Sequence, residues 1–320
     1  MAAVLTTPDL SAKLTRFNFA RPGGKSMQIL AFWNNKGGTG KTSLAFQAIC
    51  AYAEKFPKKR ILAIDACPQA NLSELLLGGL EGAGSHNLTS LQGNNPRRSI
   101  AGYFQTRLPS PFAMPAITPA DFICKPLTFN NSIALNIDLV AGDALLELQA
   151  NAIATLSNTQ IPGTDTCLAV IDWLKDYITT LGNSYDVVFI DTNPSFSIYT
   201  QIALATATDV VLPVMPDDSS RRAIQNAFSL IYGINLPSAI YAQYSFTNKL
   251  VAANRSLPKV SLVVKNRLTQ YIWDRRPRIR PYYRRLTHCL PRYFLRTHRS
   301  LLSRRWPMEW LMLETSKPLG

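Results

Sequence analysis

The stretch Trp33–Ser43, WNNKGGTGKTS, follows directly on the apolar run MQILAF and places three glycines and two lysines within six residues, Lys36 to Lys41. A hydrophobic core has no use for that composition. A glycine-rich turn between a strand and a helix lets backbone N–H groups converge on an anion, because no Cβ blocks the approach and the helix N-terminus adds partial positive charge. The segment therefore reads as a phosphate cradle formed by Gly37, Gly38, Thr39 and Gly40. Lys41 would reach the β- and γ-phosphates, and the hydroxyl of Thr42 would ligate Mg²⁺. The common spacing GxxxxGK[ST] requires glycine at 35, where this chain has Asn35; in compensation a second lysine, Lys36, precedes the glycines.

Outward from the loop the pattern alternates. MQILAFWN reads as a strand, 40–55 as a mostly apolar helix and RILAID as a strand, the βαβ rhythm of a parallel sheet. Both strands are near-continuous apolar runs, as expected when helices cover both faces. Residues 78–133, rich in Gly, Asn, Ser and Pro, predict a long excursion with little regular structure. Order resumes with IALNIDLVAG as a strand and DALLELQANAIATL as a helix. In 164–182, Leu168, Ile171, Leu174, Ile178 and Leu181 recur at spacings of three and four and predict one helical face. YDVVFID and DVVLPV read as buried strands, 218–232 as a helix stopped by Gly233, and KVSLVVKN as a last strand before the composition changes near 274. The fold class is α/β, a doubly wound, mostly parallel sheet with helices on both faces. It spans 27–273, between a leader of 1–26 and an arginine-rich tail of 274–320; Met27 could itself serve as a start.

At 320 residues and 47% hydrophobic, the chain can bury a full core. No apolar run approaches the roughly 20 residues of a membrane span, and no secretory signal pattern opens the sequence, so a cytoplasmic location is expected. Five scattered cysteines without CxxC spacing and only three histidines set aside a disulfide framework and a zinc site. The net charge of +14 is mainly a property of the tail. Residues 275–305 hold eleven arginines and neither lysine nor acid, which leaves 23 basic against 20 acidic residues elsewhere.

KGGTGKTS resembles the deviant Walker A box, K-G-G-x-G-K-[ST]-[ST], of the ParA/MinD family of dimeric ATPases. ILAIDACPQANLS and YDVVFIDTNPS are similar to two further family segments, and the likeness covers about residues 27–270. The resemblance implies ATP and Mg²⁺ as cofactors, with Lys36, Gly37, Gly38, Thr39, Gly40, Lys41, Thr42 and Ser43 around the phosphates. It implies that Lys36 is the signature lysine that reaches the partner's phosphates in a nucleotide-sandwich homodimer, while Lys41 and Thr42 act in their own subunit. Asp191 would hold Mg²⁺ through water, and Asn266 stands where the family often places an asparagine that reads adenine. The departure is Cys67, where the family has a second aspartate that helps to position the attacking water. A thiol cannot act as a carboxylate base, so hydrolysis is expected to be slow, with Asp65, two residues upstream, as the remaining candidate.

The resemblance further implies non-specific binding of nucleoid DNA and a ParB-like or other adaptor that stimulates the ATPase. Arg221 and Arg222 lie opposite the apolar stripe Ile224, Ala227, Phe228 and Ile231, in a first turn where cations oppose the helix dipole, and are candidate DNA contacts. The tail interleaves arginine with aromatic residues, which suits phosphate contact and stacking; four prolines in 275–307 and arginine without lysine are equally what an out-of-frame reading would produce. Two other readings stand beside partition. One is a MinD-like membrane-cycling ATPase, for which RRWPMEWLMLE would be the interfacial segment. The other is a non-hydrolysing nucleotide-binding scaffold, which Cys67 favours.

Overall fold

A computed structural model of the protein describes residues 27–215 and 217–266, together with two three-residue strands, Ala3–Leu5 and Trp310–Met312, that pair antiparallel. Six strands form the sheet: β1 (Gln28–Phe32), β2 (Ile61–Ala66), β3 (Ile137–Val140), β4 (Val187–Thr192), β5 (Asp209–Val214) and β6 (Lys259–Lys265). All pairings are parallel, in the spatial order β3-β2-β4-β1-β5-β6. β2, β3 and β4 are buried from end to end, which is why they read as largely apolar runs, with Asp65, Asp138 and Asp191 the buried acids among them.

Helices cover both faces. On one, α1 (Lys41–Lys55), α2 (Asn71–Leu76) and α3 (Gly84–Gln92) pack Leu44, Ile49, Tyr52, Leu76 and Leu88 into a core with Phe32, Ala63 and Phe189. The other face carries α4 (Ile100–Arg107), α5 (Leu145–Asn158), α6 (Thr166–Ile171), α7 (Trp173–Thr180), α8 (Ile198–Thr206) and α9 (Asp218–Tyr232). Beyond α10 (Ala239–Gln243), which has no buried residue, α11 (Phe246–Ala252) joins the same core through Phe246 and Leu250. Gly233, at φ 65°, ends α9 as the sequence predicts.

Three local expectations need correction. Residues 78–133 contain α3, α4 and two short 3₁₀ turns rather than a mostly irregular excursion. Packing accounts for α4: Ile100, Ala101, Tyr103 and Phe104 are all buried, burial that composition does not reveal. The segment 164–182 is two helices, broken at Asp172. There Asp172 pairs with Arg255, and the buried Trp173 donates its indole N–H to the Pro111 carbonyl at 2.8 Å. Helix α8, buried at every position but Gln201, lies in a stretch to which the sequence reading assigns no element.

The N-cap of α4 ties these elements together. The Ser99 hydroxyl is fully buried, accepts from the Gly102 N–H at 3.0 Å and donates to Asp143 at 2.7 Å; Asp143 also pairs with Arg97. Removing it strands a buried donor and weakens a buried carboxylate's shell. Ser99→Ala is therefore expected to destabilise the fold by about 1–3 kcal/mol, measured by urea denaturation at neutral pH.

Candidate phosphate and cation site

Strand register brings the site together. Phe32, the last residue of β1, lies beside Asp191 on β4, and Asp191 lies beside Asp65 on β2. Register partners on adjacent strands are about 5 Å apart and point to the same face, so both carboxylates stand at the carboxyl end of the sheet on the face that α1 covers.

Between β1 and α1 the loop is fixed from below. Asn34, fully buried, donates its side-chain amide to the Pro213 carbonyl at 2.6 Å and accepts from the Lys36 N–H at 3.0 Å. Gly38 and Gly40 adopt φ of 71° and 80°, a region that favours glycine. Around Gly37 and Gly38 a Cβ would meet nothing within 4 Å, so the loop is open there. Helix α1 is capped by Gly40 with no side-chain hydrogen bond, and its first turn carries no acid. Gly40 therefore offers its first N–H groups no side-chain acceptor, the condition under which a helix N-terminus takes an anion.

The two lysines behave differently. Lys41 is buried and its Nζ donates to the Lys36 carbonyl at 3.2 Å; burial lowers its pKa, against the attraction of Asp191. Lys36 reaches across the chain to α9: its Nζ lies 2.6 Å from Asp217 Oδ2 and 3.5 Å from the Ser220 hydroxyl. Asp217 also caps α9 by accepting from the Ser220 N–H at 2.7 Å. Burial alone would raise its carboxyl, but hydrogen bonds from Lys36 and Ser220 outweigh that and bring it down to about 2. Nothing in the sequence paired Lys36 with Asp217, although DDSS before an apolar stripe is a helix-start signature.

Asp191 is fully buried, and neither carboxylate oxygen has a hydrogen-bond partner. Burial, and then the neighbouring Asp65, push its pKa up to about 8, with Thr42 and Lys41 pulling the other way. A buried carboxylate that makes no well-formed hydrogen bond, with only the Thr42 hydroxyl, Lys41 and the Thr192 N–H near enough to favour its charge, fits an oxygen-coordinated cation such as Mg²⁺. Among the described residues no cluster of three or more His, Cys, Asp or Glu could hold a metal, so Thr42 and Asp191 would need phosphate or water oxygens to complete the shell. Ser43 is exposed in the first turn of α1.

Asp65 differs from Asp191 in being saturated. Its carboxylate accepts from the Cys67 N–H at 3.1 Å, the Ser73 N–H at 2.9 Å and the Ser73 hydroxyl at 2.8 Å. The expected role for Asp65 in orienting water meets this arrangement: its oxygens are engaged in holding the β2–α2 turn. Cys67, in that turn, is buried, and burial and then the charge of Asp65 push its thiol up to about 12, so it is neutral. Gly142 seals the turn, since a Cβ there would lie 2.8 Å from Ala70 Cβ, Asp65 Cγ and the Cys67 carbonyl. Neither Ser73 nor Gly142 was singled out from sequence, because their roles depend on a strand pairing and not on a local motif.

Arg221 and Arg222 are not the free pair expected from the helix dipole. Both contact Asp218 one turn back, at 3.2 and 3.5 Å, and Asp217 and Asp218 together offset the cations at the start of α9. Asn266 is 7% exposed and its amide is turned onto the phosphate loop, donating to the Thr39 carbonyl at 2.9 Å. The arginine-rich tail and the tryptophan-bearing segment considered for a membrane lie outside the residues whose side chains are described. No helix among the described residues is long and apolar enough to cross a membrane.

Residues 27–238 match the family described as an AAA domain. Over 214 residues the chain is 28% identical to the virulence plasmid ParA family protein of Chlamydia muridarum, covering 66% of this chain and 64% of that one. It thus spans a little under two thirds of that relative's length. Among solved structures it is similar to a Cyanothece McdA variant in complex with ATP, with a TM-score of 0.57 and 16% identity over 84% of this chain and 81% of that one. It is likewise similar to cobyrinic acid a,c-diamide synthase from Mycobacterium smegmatis with bound ADP and magnesium, with a TM-score of 0.53 and 17% identity over 82% of each chain. At that identity the structural likeness concerns the fold.

A bare Asp191 opposes folding when ionised. Its folded-state pKa lies above the unfolded one, so the penalty is absent below about pH 4 and grows as pH rises toward 8. Asp191→Asn is expected to raise the melting temperature of the metal- and nucleotide-free protein by several degrees near pH 8, with the gain shrinking toward pH 5, in differential scanning calorimetry.

Proposed function

Because this chain belongs to the AAA domain family and is ParA/MinD-like in sequence and fold, we propose that it is an ATP-driven dimerising switch that positions a plasmid, a chromosome region or another cargo. In this reading it binds DNA non-specifically on the nucleoid in the cytoplasm and answers to a ParB-like or other stimulating partner. The observation that carries the proposal is the juxtaposition, at one end of the sheet, of an α1 N-terminus with a glycine cap, the buried Lys41 and the buried Asp191 beside Thr42.

Each residue has a chemical task in that reading. The N–H groups of Gly38 to Thr42 and the ammonium of Lys41 bind the β- and γ-phosphates. Thr42 and Asp191 would hold Mg²⁺, which supplies positive charge against the phosphate oxygens when bound. Lys36, now on Asp217, is the group that crosses to the partner's phosphates. Arg221 and Arg222 remain the candidate DNA contacts within the described residues, with Arg222 the more exposed at 63% of its side chain. Calorimetry with Mg-ATP and light scattering with and without nucleotide test the switch. Wild-type protein is expected to bind ATP and pair, whereas Lys36→Ala binds ATP but stays monomeric; pairing by Lys36→Ala, or no ATP binding by wild type, would defeat the reading.

Turnover is the weak point of the site. Among the described residues, Asp65 is engaged in the turn, Cys67 is neutral, Asp217 is paired with Lys36, and Asp191 would be committed to the cation. The proposed protein therefore binds ATP and hydrolyses it very slowly. Cys67→Asp is expected to raise kcat by roughly 10²-fold, measured as phosphate release per bound nucleotide. Equal rates in the two proteins would mean that the thiol is only a small buried residue tolerated by the turn.

A further inference from the structure

The carboxyl end of the sheet carries the phosphate loop; the amino end carries a cluster of cations. The turn that joins α1 to β2 reads Lys58, Lys59, Arg60, and Lys125 stands beside it, since Pro57, Arg60, Lys125 and Leu135 line one open cavity of about 580 Å³. All four cations are exposed, Lys59 and Arg60 by 51% and 58% of their side chains. Six cations elsewhere are matched at close range: Lys36 by Asp217, Arg97 by Asp143, Arg107 by Asp176, Arg255 by Asp172, and Arg221 and Arg222 by Asp218. Among the described residues Lys58 and Lys125 make no ion pair.

The backbone that presents them is fixed. Cys124 exchanges two backbone hydrogen bonds with Leu139 of β3, at 2.8 and 2.9 Å, and a 3₁₀ turn, Pro126–Thr128, follows Lys125. Asn136 donates its side-chain amide to the Phe56 and Lys59 carbonyls, at 3.2 and 2.9 Å, which closes the turn around Lys58. Asp186 holds the Lys59 ammonium at 2.7 Å and the Arg60 N–H at 2.8 Å, and the Arg60 guanidinium lies 5.0 Å from the Tyr185 ring centre. Three acids share this face: Asp186; Asp138, which accepts from the Tyr185 hydroxyl at 2.8 Å and lies 3.8 Å from Arg60; and Glu54. Lys55, in the last turn of α1, makes a fifth cation, and the balance is positive. Of the cations only Arg60 and Lys125 line the cavity, so the charge is spread over a face and does not converge on one point. The carbonyls that end α1 also oppose a single small anion there. Spread cations on a fixed backbone suit a chain of phosphates, each contact releasing counterions.

We propose that the face formed by Lys58, Lys59, Arg60 and Lys125 is a non-specific contact surface for the phosphate backbone of duplex DNA. The proposal rests on the DNA-binding part of the reading above and deepens it by naming a surface separate from Arg221 and Arg222. β2 runs six residues, roughly 20 Å, from this face to the phosphate site, so DNA and nucleotide meet opposite ends of the sheet. Two subunits paired through Lys36 would carry two such faces on one particle, and affinity for DNA would rise on pairing with neither face rearranged.

The test measures fluorescence anisotropy of a labelled random-sequence duplex against full-length protein over a range of NaCl concentrations. The double variant Lys58→Gln/Lys125→Gln leaves the contacts of Lys59 and Arg60 in place, and Lys175→Gln/Lys249→Gln removes the same charge elsewhere. Near-ultraviolet circular dichroism and Mg-ATP calorimetry check that the fold and the phosphate site are intact. Each phosphate contact adds about 0.9 to the steepness with which log K falls against log salt, so the first variant is expected to flatten that slope by about 2 and to weaken binding at least about 10-fold at moderate salt. The control variant should keep the wild-type slope. A slope unchanged in the first variant, or flattened equally in both, overturns the proposal. An unchanged DNA slope with weakened sedimentation on phosphatidylglycerol vesicles would assign the face to a membrane and overturns it as well. Wild-type protein that binds no duplex even at low salt would overturn the DNA-binding reading itself, which keeps the two failures apart.

Discussion

The parallel register of β2, β4 and β1 is the constraint on which the site depends. It sets Asp65, Asp191 and Phe32 abreast, so that the loop leaving β1 emerges beside two carboxylates from strands far away in sequence. Slipping β2 or β4 by a residue would turn its carboxylate to the opposite face, into the core that holds Ile64, Val188 and Ile190. The long runs of buried Val, Ile and Leu that hold this register are thus part of the chemistry, although none of them touches the site.

Two acids placed side by side in a dry environment cannot both be left alone. Asp65 is resolved by donors from the turn that it organises, two backbone N–H groups and the Ser73 hydroxyl. Asp191 makes no comparable set of hydrogen bonds, only weaker approaches of the Thr42 hydroxyl and the Thr192 N–H, and this environment suits a cation. The difference in hydrogen bonding separates a structural aspartate from a ligand-seeking one more sharply than their similar burial does. Burial, and then the charge of Asp65, keep the Cys67 thiol protonated.

Much of this was legible in the sequence, and the boundary has a physical basis. The phosphate loop declares itself because positive φ and an unobstructed backbone demand glycine, and that demand is local. The six strands were readable because burial on both faces leaves mostly apolar residues. Helix α4 was not, since its stability comes from Tyr103 and Phe104 packing into the core and not from its own composition. The break at Asp172 depends on Arg255, and the pairing of Lys36 depends on Asp217; neither partner lies within a local window. Asn266 was visible as an asparagine after a strand, but the direction of its amide is decided by the loop it meets.

The contact between Lys36 and Asp217 gives the subunit an internal stand-in for a phosphate. In the proposed dimer this lysine does not acquire an anion for the first time; it exchanges one for another. The attraction it lends to the joined state is then the difference between two contacts of like kind, far smaller than either alone. An association held by so narrow a margin is easily reversed, and each separation returns the ammonium to a carboxylate waiting at the head of its own helix.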